Sequence, residues 1–110
     1  MTDRRVRYMR MIVFFDLPIL TEADKKEYRH FRRFLINEGF VFMQQSVYVR
    51  LVINDAAYMY ALERLTQHKP PKGLVQVLRI TEKQFSNMTY LTGEAPFNDR
   101  ETSLKGLIII

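Results

Sequence analysis

The sequence of 110 residues has the size of one domain, since domains typically hold about 100–150 residues. Its composition, 47% hydrophobic and 26% charged with four glycines and four prolines, excludes a disordered or collagen-like chain. The lack of cysteine excludes disulfides, zinc-thiolate sites and thiol nucleophiles, and 17 Lys and Arg against 12 Asp and Glu give a net charge of +5, which favours a polyanionic partner.

The N-terminal segment is basic and carries no targeting signal. It lacks the hydrophobic stretch of a signal peptide, and no apolar run in the sequence approaches the roughly 20 residues that span a bilayer. We therefore expect a soluble, cytoplasmic protein with no membrane contact. The basic cluster is either a nucleic-acid contact or a solubilising arm, and consists of Arg4, Arg5, Arg7 and Arg10.

The first half of the chain predicts a strand, a helix and two more strands. Residues 8–16 are mostly apolar, β-branched and aromatic and are followed by Leu17-Pro18, which predicts a buried central strand. Thr21 and Asp24 form a capping-box pattern, so a helix should start there and run to about Asn37, with Gly39 closing it. Residues 40–53 are too long for one ordinary strand and should break near Gln45-Ser46.

The second half predicts a helix, a strand and a weaker strand. Asn54 is a good N-cap, and apolar residues follow at helical spacing until Pro70-Pro71. Leu74 to Thr81 alternates as a strand, and a weaker strand signal covers Met88 to Thr92.

The order βαββαβ predicts an α+β, ferredoxin-like fold with extra C-terminal strands. Right-handed crossovers place both helices on one face of the sheet and leave the other face bare. A bare apolar face favours a homodimer, and a polar, solvated face is the alternative.

The C-terminus predicts a docking strand. We assign residues 1–92 to the ferredoxin-like domain and 93–110 to a C-terminal loop and strand. The chain closes on four aliphatic residues, which as a free strand would aggregate. They should therefore add to a sheet edge, of the same chain, its twin or, as we favour, a second protein; the residues are Leu107, Ile108, Ile109 and Ile110.

A basic stripe runs along the predicted first helix. At 100° per residue its five cations fall within about 120°, opposite the apolar side chains, and its length of about 12 Å matches three or four phosphates. We therefore predict a DNA-binding surface without base recognition; the alternative is the solvated face of an amphipathic helix. The stripe consists of Lys25, Lys26, Arg29, Arg32 and Arg33, and we add Arg10 to the predicted DNA contacts.

Asp16 is the best candidate metal ligand and catalytic residue, because it ends a buried strand where the scaffold holds a side chain rigidly. One aspartate cannot hold the metals of a phosphodiesterase, so a dimer axis would have to pair two copies of it, and Mg²⁺ tolerates such sparse ligation. The alternative role is capping of the following turn. His30 and His68 lack metal-ligand spacing, and Ser46 is better explained as a turn residue than as a nucleophile.

Several short motifs occur in a specific order along the chain: the strand 11–16, the basic helix segment 28–35, Gly39-Phe40 and residues 45–48. Through these motifs the chain resembles the Cas2 family of CRISPR-associated proteins over nearly its whole length, and residues 81–85 look like the type II branch. The resemblance implies a homodimer that holds prespacer duplex DNA and bridges dimers of the Cas1 integrase. It also implies a metal-dependent endonuclease acting on RNA or DNA, with Asp16 as Mg²⁺ ligand at the dimer interface. A third hypothesis is a small-ligand regulatory domain or a ribosomal-type protein on the same fold.

Overall fold

A computed structural model of the protein describes residues 8–95. Four strands form one antiparallel sheet in the order β2-β3-β1-β4, which is the ferredoxin-like arrangement. The predicted α+β fold is therefore confirmed. The strands are β1 (Met9–Asp16), β2 (Val41–Gln44), β3 (Val47–Val52) and β4 (Leu74–Thr81), and the helices are α1 (Glu22–Asn37), α2 (Asp55–Gln67) and α3 (Glu82–Ser86).

The central strand β1 divides its side chains between two faces of the sheet. Met11, Val13 and Phe15 belong to the main core under α1 and α2. Ile12 and Phe14 belong to a second apolar cluster on the opposite face. This alternation follows from the two-residue period of a strand, and burial on both sides explains why β1 reads as a continuous apolar run.

The two long helices begin where the sequence predicts. Thr21 and Asp24 cap α1 reciprocally, and the Asn54 side chain accepts a hydrogen bond from the backbone N–H of Ala57 to cap α2. Each helix buries one apolar flank on the sheet, through Phe31 and Leu35 in α1 and through Ala61 and Leu65 in α2.

The C-terminal ends of α1 and α2 are joined by a charged contact. Arg64 donates to both carboxylate oxygens of Glu38, at 3.2 and 2.6 Å. This hydrogen-bonded pair lowers the pKa of Glu38 and raises that of Arg64. Beside it, the His68 ring stacks on Phe34 with 4.3 Å between ring centres.

The hairpin between β2 and β3 turns at Gln45-Ser46, as predicted. Ser46 takes a positive φ of 65°, and its carbonyl accepts a hydrogen bond of 3.0 Å from the backbone N–H of Phe15. The pairing shifts between Phe42 and Gln44, so the edge strand carries an irregularity. Ser46 therefore has a turn role, and the turn is tied to the central strand.

The expected strand over residues 88–92 is wrong. After β4 the chain enters the short helix α3 instead, capped reciprocally by Thr81 and Gln84. On the other edge of the sheet, Phe42 is 56% exposed, because the edge position of β2 leaves one side of its ring uncovered. The predicted docking residues 107–110 and the N-terminal Arg4, Arg5 and Arg7 lie outside the described residues.

Within residues 8–95, no helix has the length and apolarity needed to cross a bilayer.

Candidate functional site

Four cations of the predicted stripe lie on α1 as exposed side chains without a charged partner. Lys26, Arg29, Arg32 and Arg33 make no ion pair with any carboxylate in the described part of the chain. Lys25 is different, because its Nζ lies 3.4 Å from a carboxylate oxygen of Glu22 one turn earlier. The structure therefore places the stripe on the outer flank of α1, largely unneutralised.

Arg32 lies at the inner border of the stripe, where α1 meets the sheet. Its Nε donates a hydrogen bond of 3.1 Å to the hydroxyl of Tyr48 on β3. The Tyr48 ring is buried, stacked on Phe15 and in edge contact with Phe42. Arg32 is thus the one stripe residue that a side chain of the sheet holds in place, among the residues the structure describes.

Arg10 lies on the opposite face of the sheet from α1. It makes a bidentate contact with the carboxylate of Glu82, at 2.6 and 3.0 Å, and its guanidinium lies 4.7 Å from the centre of the Phe85 ring. These contacts fasten α3 to β1. The predicted DNA contact of Arg10 stays a prediction, and the structure does not bring Arg10 together with the stripe.

Asp16 is exposed at the end of β1, opposite Leu74 of β4. Its neighbours Phe15 and Leu17 both belong to the core under the helices, so the alternation of the strand assigns Asp16 to the other face. No group of three or more His, Asp or Glu side chains suited to a metal ion occurs within residues 8–95. One chain therefore offers one well-placed carboxylate at this strand end.

Two neighbouring features fix the backbone around Asp16. Gly73 has φ +90°, and a Cβ there would lie 2.6 Å from the carbonyl oxygen of Asp16 and 2.8 Å from Cδ2 of Leu17, so only glycine allows β4 to start this close. The buried Asp24 carboxylate accepts from the backbone N–H of Thr21 at 3.2 Å and lies 3.5 Å from Nζ of Lys72.

The same contacts set the charge of Asp24. The backbone hydrogen bond from Thr21 is the largest influence, and together with Lys72 it lowers the pKa of Asp24 against the opposing effect of burial. Between these residues lies a cleft of about 160 Å³, lined in part by Leu17, Pro18 and Pro71. The carboxylate ties the loop after β1 to the loop before β4.

The face of the sheet that carries Asp16 is apolar and partly uncovered. Phe85 of α3 packs against the second apolar cluster and covers some of it. Across the rest, large side chains remain exposed, including Leu74 at 54% and Leu78 at 49%; the set is Val41, Leu51, Leu74 and Leu78. The register assigns these side chains to that face, where Ile12, Val47 and Val49 between them are buried, so the exposed positions are spread across the width of the sheet.

Comparison with known proteins identifies the family. The family model of CRISPR associated protein Cas2 matches residues 9–88. The chain belongs to the Cas2 family. The resemblance predicted from the strand 11–16, the basic helix and residues 45–48 is therefore confirmed.

Relatives within the Cas2 family match most of the chain. A protein of Streptococcus mutans serotype c (strain ATCC 700610 / UA159) is 46% identical over 87% of this chain and 84% of its own length. A protein of Ligilactobacillus salivarius (strain UCC118) is 42% identical over 92% of this chain and its own whole length. Both are named CRISPR-associated endoribonuclease Cas2.

A solved structure supports the Cas2 fold. The chain matches a crystal structure of Cas2 with a TM-score of 0.57 and 16% sequence identity, covering 83% of this chain and 93% of that chain. At this identity the match shows the fold, which agrees with the strand order described above.

Three contacts between distant parts of the chain escaped prediction. They are the hydrogen bond of Tyr48 with Arg32, the close approach of Gly73 to Asp16 and the contact of Asp24 with Lys72, which helical or strand periodicity does not reveal. The start of α3 could have been predicted from the sequence, because Thr81 and Gln84 have the spacing of a capping box. The pairing of Arg10 with Glu82 needed the β1–β4 register, since 72 positions separate the two residues.

Proposed function

We propose that this Cas2 protein is a homodimeric adaptor of CRISPR spacer acquisition that binds prespacer duplex DNA without sequence specificity and bridges dimers of the Cas1 integrase. The proposal combines family membership with the placement of charge on α1. It includes a cytoplasmic location, where the DNA partner would be found.

The uncompensated cations of α1 carry this proposal. Lys26, Arg29 and Arg33 are exposed on one flank of α1 without carboxylate partners, so their positive charges repel one another. A bound polyanion would relieve that repulsion. Arginine presents a planar fork that suits phosphate oxygens. A rigid helix that lies along a duplex would contact the DNA phosphates rather than the base edges, so the binding would not depend on the DNA sequence.

Dimerisation through the uncovered sheet face supports the adaptor role. Large exposed apolar side chains on one face of a small domain mark an interaction site, and a two-fold axis would make that face self-complementary. Leu74 and Leu78 of β4, Leu51 of β3 and Val41 of β2 supply such side chains. A dimer would present two α1 stripes, which doubles the length of duplex that can be held.

The test is a salt-titrated binding assay with a short fluorescent duplex. The variant Arg29→Glu/Arg33→Glu should weaken binding strongly, and the slope of log K against log salt should fall by about 0.9 for each phosphate that the variant no longer neutralises. The variant Lys69→Glu/Lys83→Glu makes the same change in net charge away from the stripe and serves as the control. Equal affinity of the two variants would refute the proposal.

Docking of Cas1 through the tail is tested separately. Removal of residues 104–110, which contain Leu107, Ile108, Ile109 and Ile110, should abolish co-purification with Cas1 while duplex binding persists. Co-purification at an unchanged level would place the Cas1 contact elsewhere.

A second candidate function is a Mg²⁺-dependent endonuclease acting on RNA or DNA. It is favoured by the names of the relatives and by the position of Asp16 on the face proposed to pair in the dimer. One carboxylate falls short of a closed site, but Mg²⁺ commonly uses one or two carboxylates and keeps several waters, so two copies of Asp16 fit its chemistry. When bound, the ion would activate water and stabilise charge on a phosphodiester.

The nuclease hypothesis is tested by Asp16→Asn with Glu63→Gln as a matched carboxyl-to-amide control on exposed α2. Cleavage of single-stranded RNA or duplex DNA should stop in the first variant, persist in the second and stop in the wild type when Mg²⁺ is chelated. A dimer of unchanged size shows that Asp16→Asn has not disturbed assembly. Cleavage that persists in Asp16→Asn would rule out this site.

A further inference from the structure

The Tyr48 side chain joins the core to the basic stripe. Its ring is 3% exposed, stacked on Phe15 at 5.9 Å between ring centres and approached edge-on by Phe42 at 5.8 Å. The hydroxyl at its far end accepts the 3.1 Å hydrogen bond from Nε of Arg32. A rigid, packed ring therefore carries an acceptor to the flank of α1.

The geometry leaves the outer edge of the Arg32 guanidinium open. Arginine has five N–H donors, and the contact with Tyr48 uses the one on Nε. Within the described part of the chain, the terminal nitrogens of Arg32 make no ion pair and no hydrogen bond with another side chain. The two terminal groups form the edge that recognises phosphate in a bidentate contact.

Arg29 and Arg33 lack such a support. Neither makes a side-chain hydrogen bond with residues 8–95, so each would lose side-chain freedom when it binds a phosphate. Arg32 has already lost part of that freedom in the free protein. Preorganisation of this kind raises affinity because less entropy is lost on binding.

We propose that Tyr48 is a positioning residue for nucleic-acid binding, which holds Arg32 so that its two terminal nitrogens face a phosphate of the bound duplex. This inference rests on the proposed DNA-binding function. The competing explanation is that Arg32 merely satisfies the hydroxyl of a buried tyrosine. The first explanation predicts that loss of the Tyr48 hydroxyl weakens duplex binding, and the second predicts that duplex affinity does not change.

The experiment is a double-mutant cycle of Tyr48→Phe and Arg32→Ala, measured by salt-titrated binding of a short duplex. Tyr48→Phe keeps the packed ring and removes the hydroxyl. It should weaken binding about 2- to 10-fold, the range expected when one long side chain must be ordered on binding. Arg32→Ala should weaken binding further and reduce the salt slope by about 0.9.

The control for the loss of a hydroxyl is Tyr28→Phe. Tyr28 also lies on the core side of α1, and its hydroxyl makes no hydrogen bond in the part of the chain that is described. Binding should be unchanged in this variant. Thermal unfolding of all variants shows whether a change in affinity reflects a change in fold, and Arg32→Gln, which keeps the length of the side chain, replaces Arg32→Ala if the latter fails to fold.

The decisive quantity is the effect of Tyr48→Phe in the background lacking Arg32. If the hydroxyl acts through Arg32, its removal has no effect on affinity there. An equal loss in both backgrounds, or no loss in either while Arg29→Glu/Arg33→Glu still weakens binding strongly, overturns the inference and leaves the proposed function intact. Binding that is insensitive to Arg29→Glu/Arg33→Glu refutes the proposed function itself.

Discussion

Replacing Gly73 with alanine should destabilise the protein at the strand end that carries Asp16. Gly73 has φ +90°, where a side chain costs about 1–2 kcal/mol. The new Cβ would lie 2.6 Å from the Asp16 carbonyl oxygen. An ordinary carbon–oxygen contact needs about 3.3 Å, so one strand must move by roughly 0.7 Å. The Cβ and the carbonyl are both fixed to the backbone and cannot rotate away, and such overpacking costs about 1–3 kcal/mol more.

Gly39→Ala separates the two contributions. Gly39 has a nearly identical φ of +92°, but the atom nearest to the position that a Cβ would take is Nε of Arg50 at 3.8 Å, an ordinary contact. It should therefore show the backbone cost alone, about 1–2 kcal/mol. Gly73→Ala should lose about 2–5 kcal/mol in total, a large fraction of the 5–15 kcal/mol typical of a domain.

The assay is urea unfolding of both variants at one fixed protein concentration, since self-association would change apparent stability. Hydrogen exchange adds a local test, because protection should fall at Leu74 and its β1 partner in Gly73→Ala but not in Gly39→Ala. Equal free energies of unfolding for the two variants would refute the reasoning, because the close approach to Asp16 would then have no energetic consequence.

Three further predictions concern charge and assembly. Asp24 and Glu38 have pKa values below the ordinary 3.8 and 4.5, so they stabilise the fold above those values and lose that contribution as pH falls through the folded-state pKa. Asp24→Asn/Glu38→Gln should therefore flatten the acid side of the stability curve measured by urea unfolding from pH 6 to 3, and an equally steep decline would contradict this. Leu78→Asp should make the protein monomeric in light scattering at concentrations where Tyr60→Asp, on exposed α2, remains dimeric. If both variants remain dimeric, the sheet face is excluded as the dimer interface. Glu82→Gln should cost at most about 1 kcal/mol, because the pair is partly solvated, yet lower hydrogen-exchange protection in α3; unchanged protection would mean that Arg10 does not hold the helix.

Local signals were sufficient for most of the fold. The Thr21 capping box placed the start of α1, the length of the apolar run over residues 40–53 required a break at Gln45-Ser46, and alternation after Gly73 gave β4 with its observed ends. These features depend on neighbours within one or two turns, so the sequence displays them directly. The order of the elements then restricted the sheet to very few topologies.

Features that depend on contacts between elements were harder to predict. Arg10 looked like a free cation because its partner Glu82 becomes a neighbour only when β4 pairs with β1. Arg32 looked equivalent to the other stripe residues, although the hydroxyl of Tyr48 distinguishes it. The position of Asp16 at a strand end was readable, but the close approach of Gly73 that fixes its backbone was not. In each case the missing information was a distance across the fold.

The alternation of β1 assigns Asp16 and the α1 cations to opposite sides of one sheet. A polynucleotide lying along the outer flank of α1 would therefore lie on the opposite side of the sheet from the face that carries Asp16 of the same chain. The duplex that is bound along α1 and the strand that is hydrolysed near Asp16 would therefore be different nucleic-acid molecules. A long, uncleavable duplex would saturate the first surface without competing for the second, and variants could lose either activity while keeping the other.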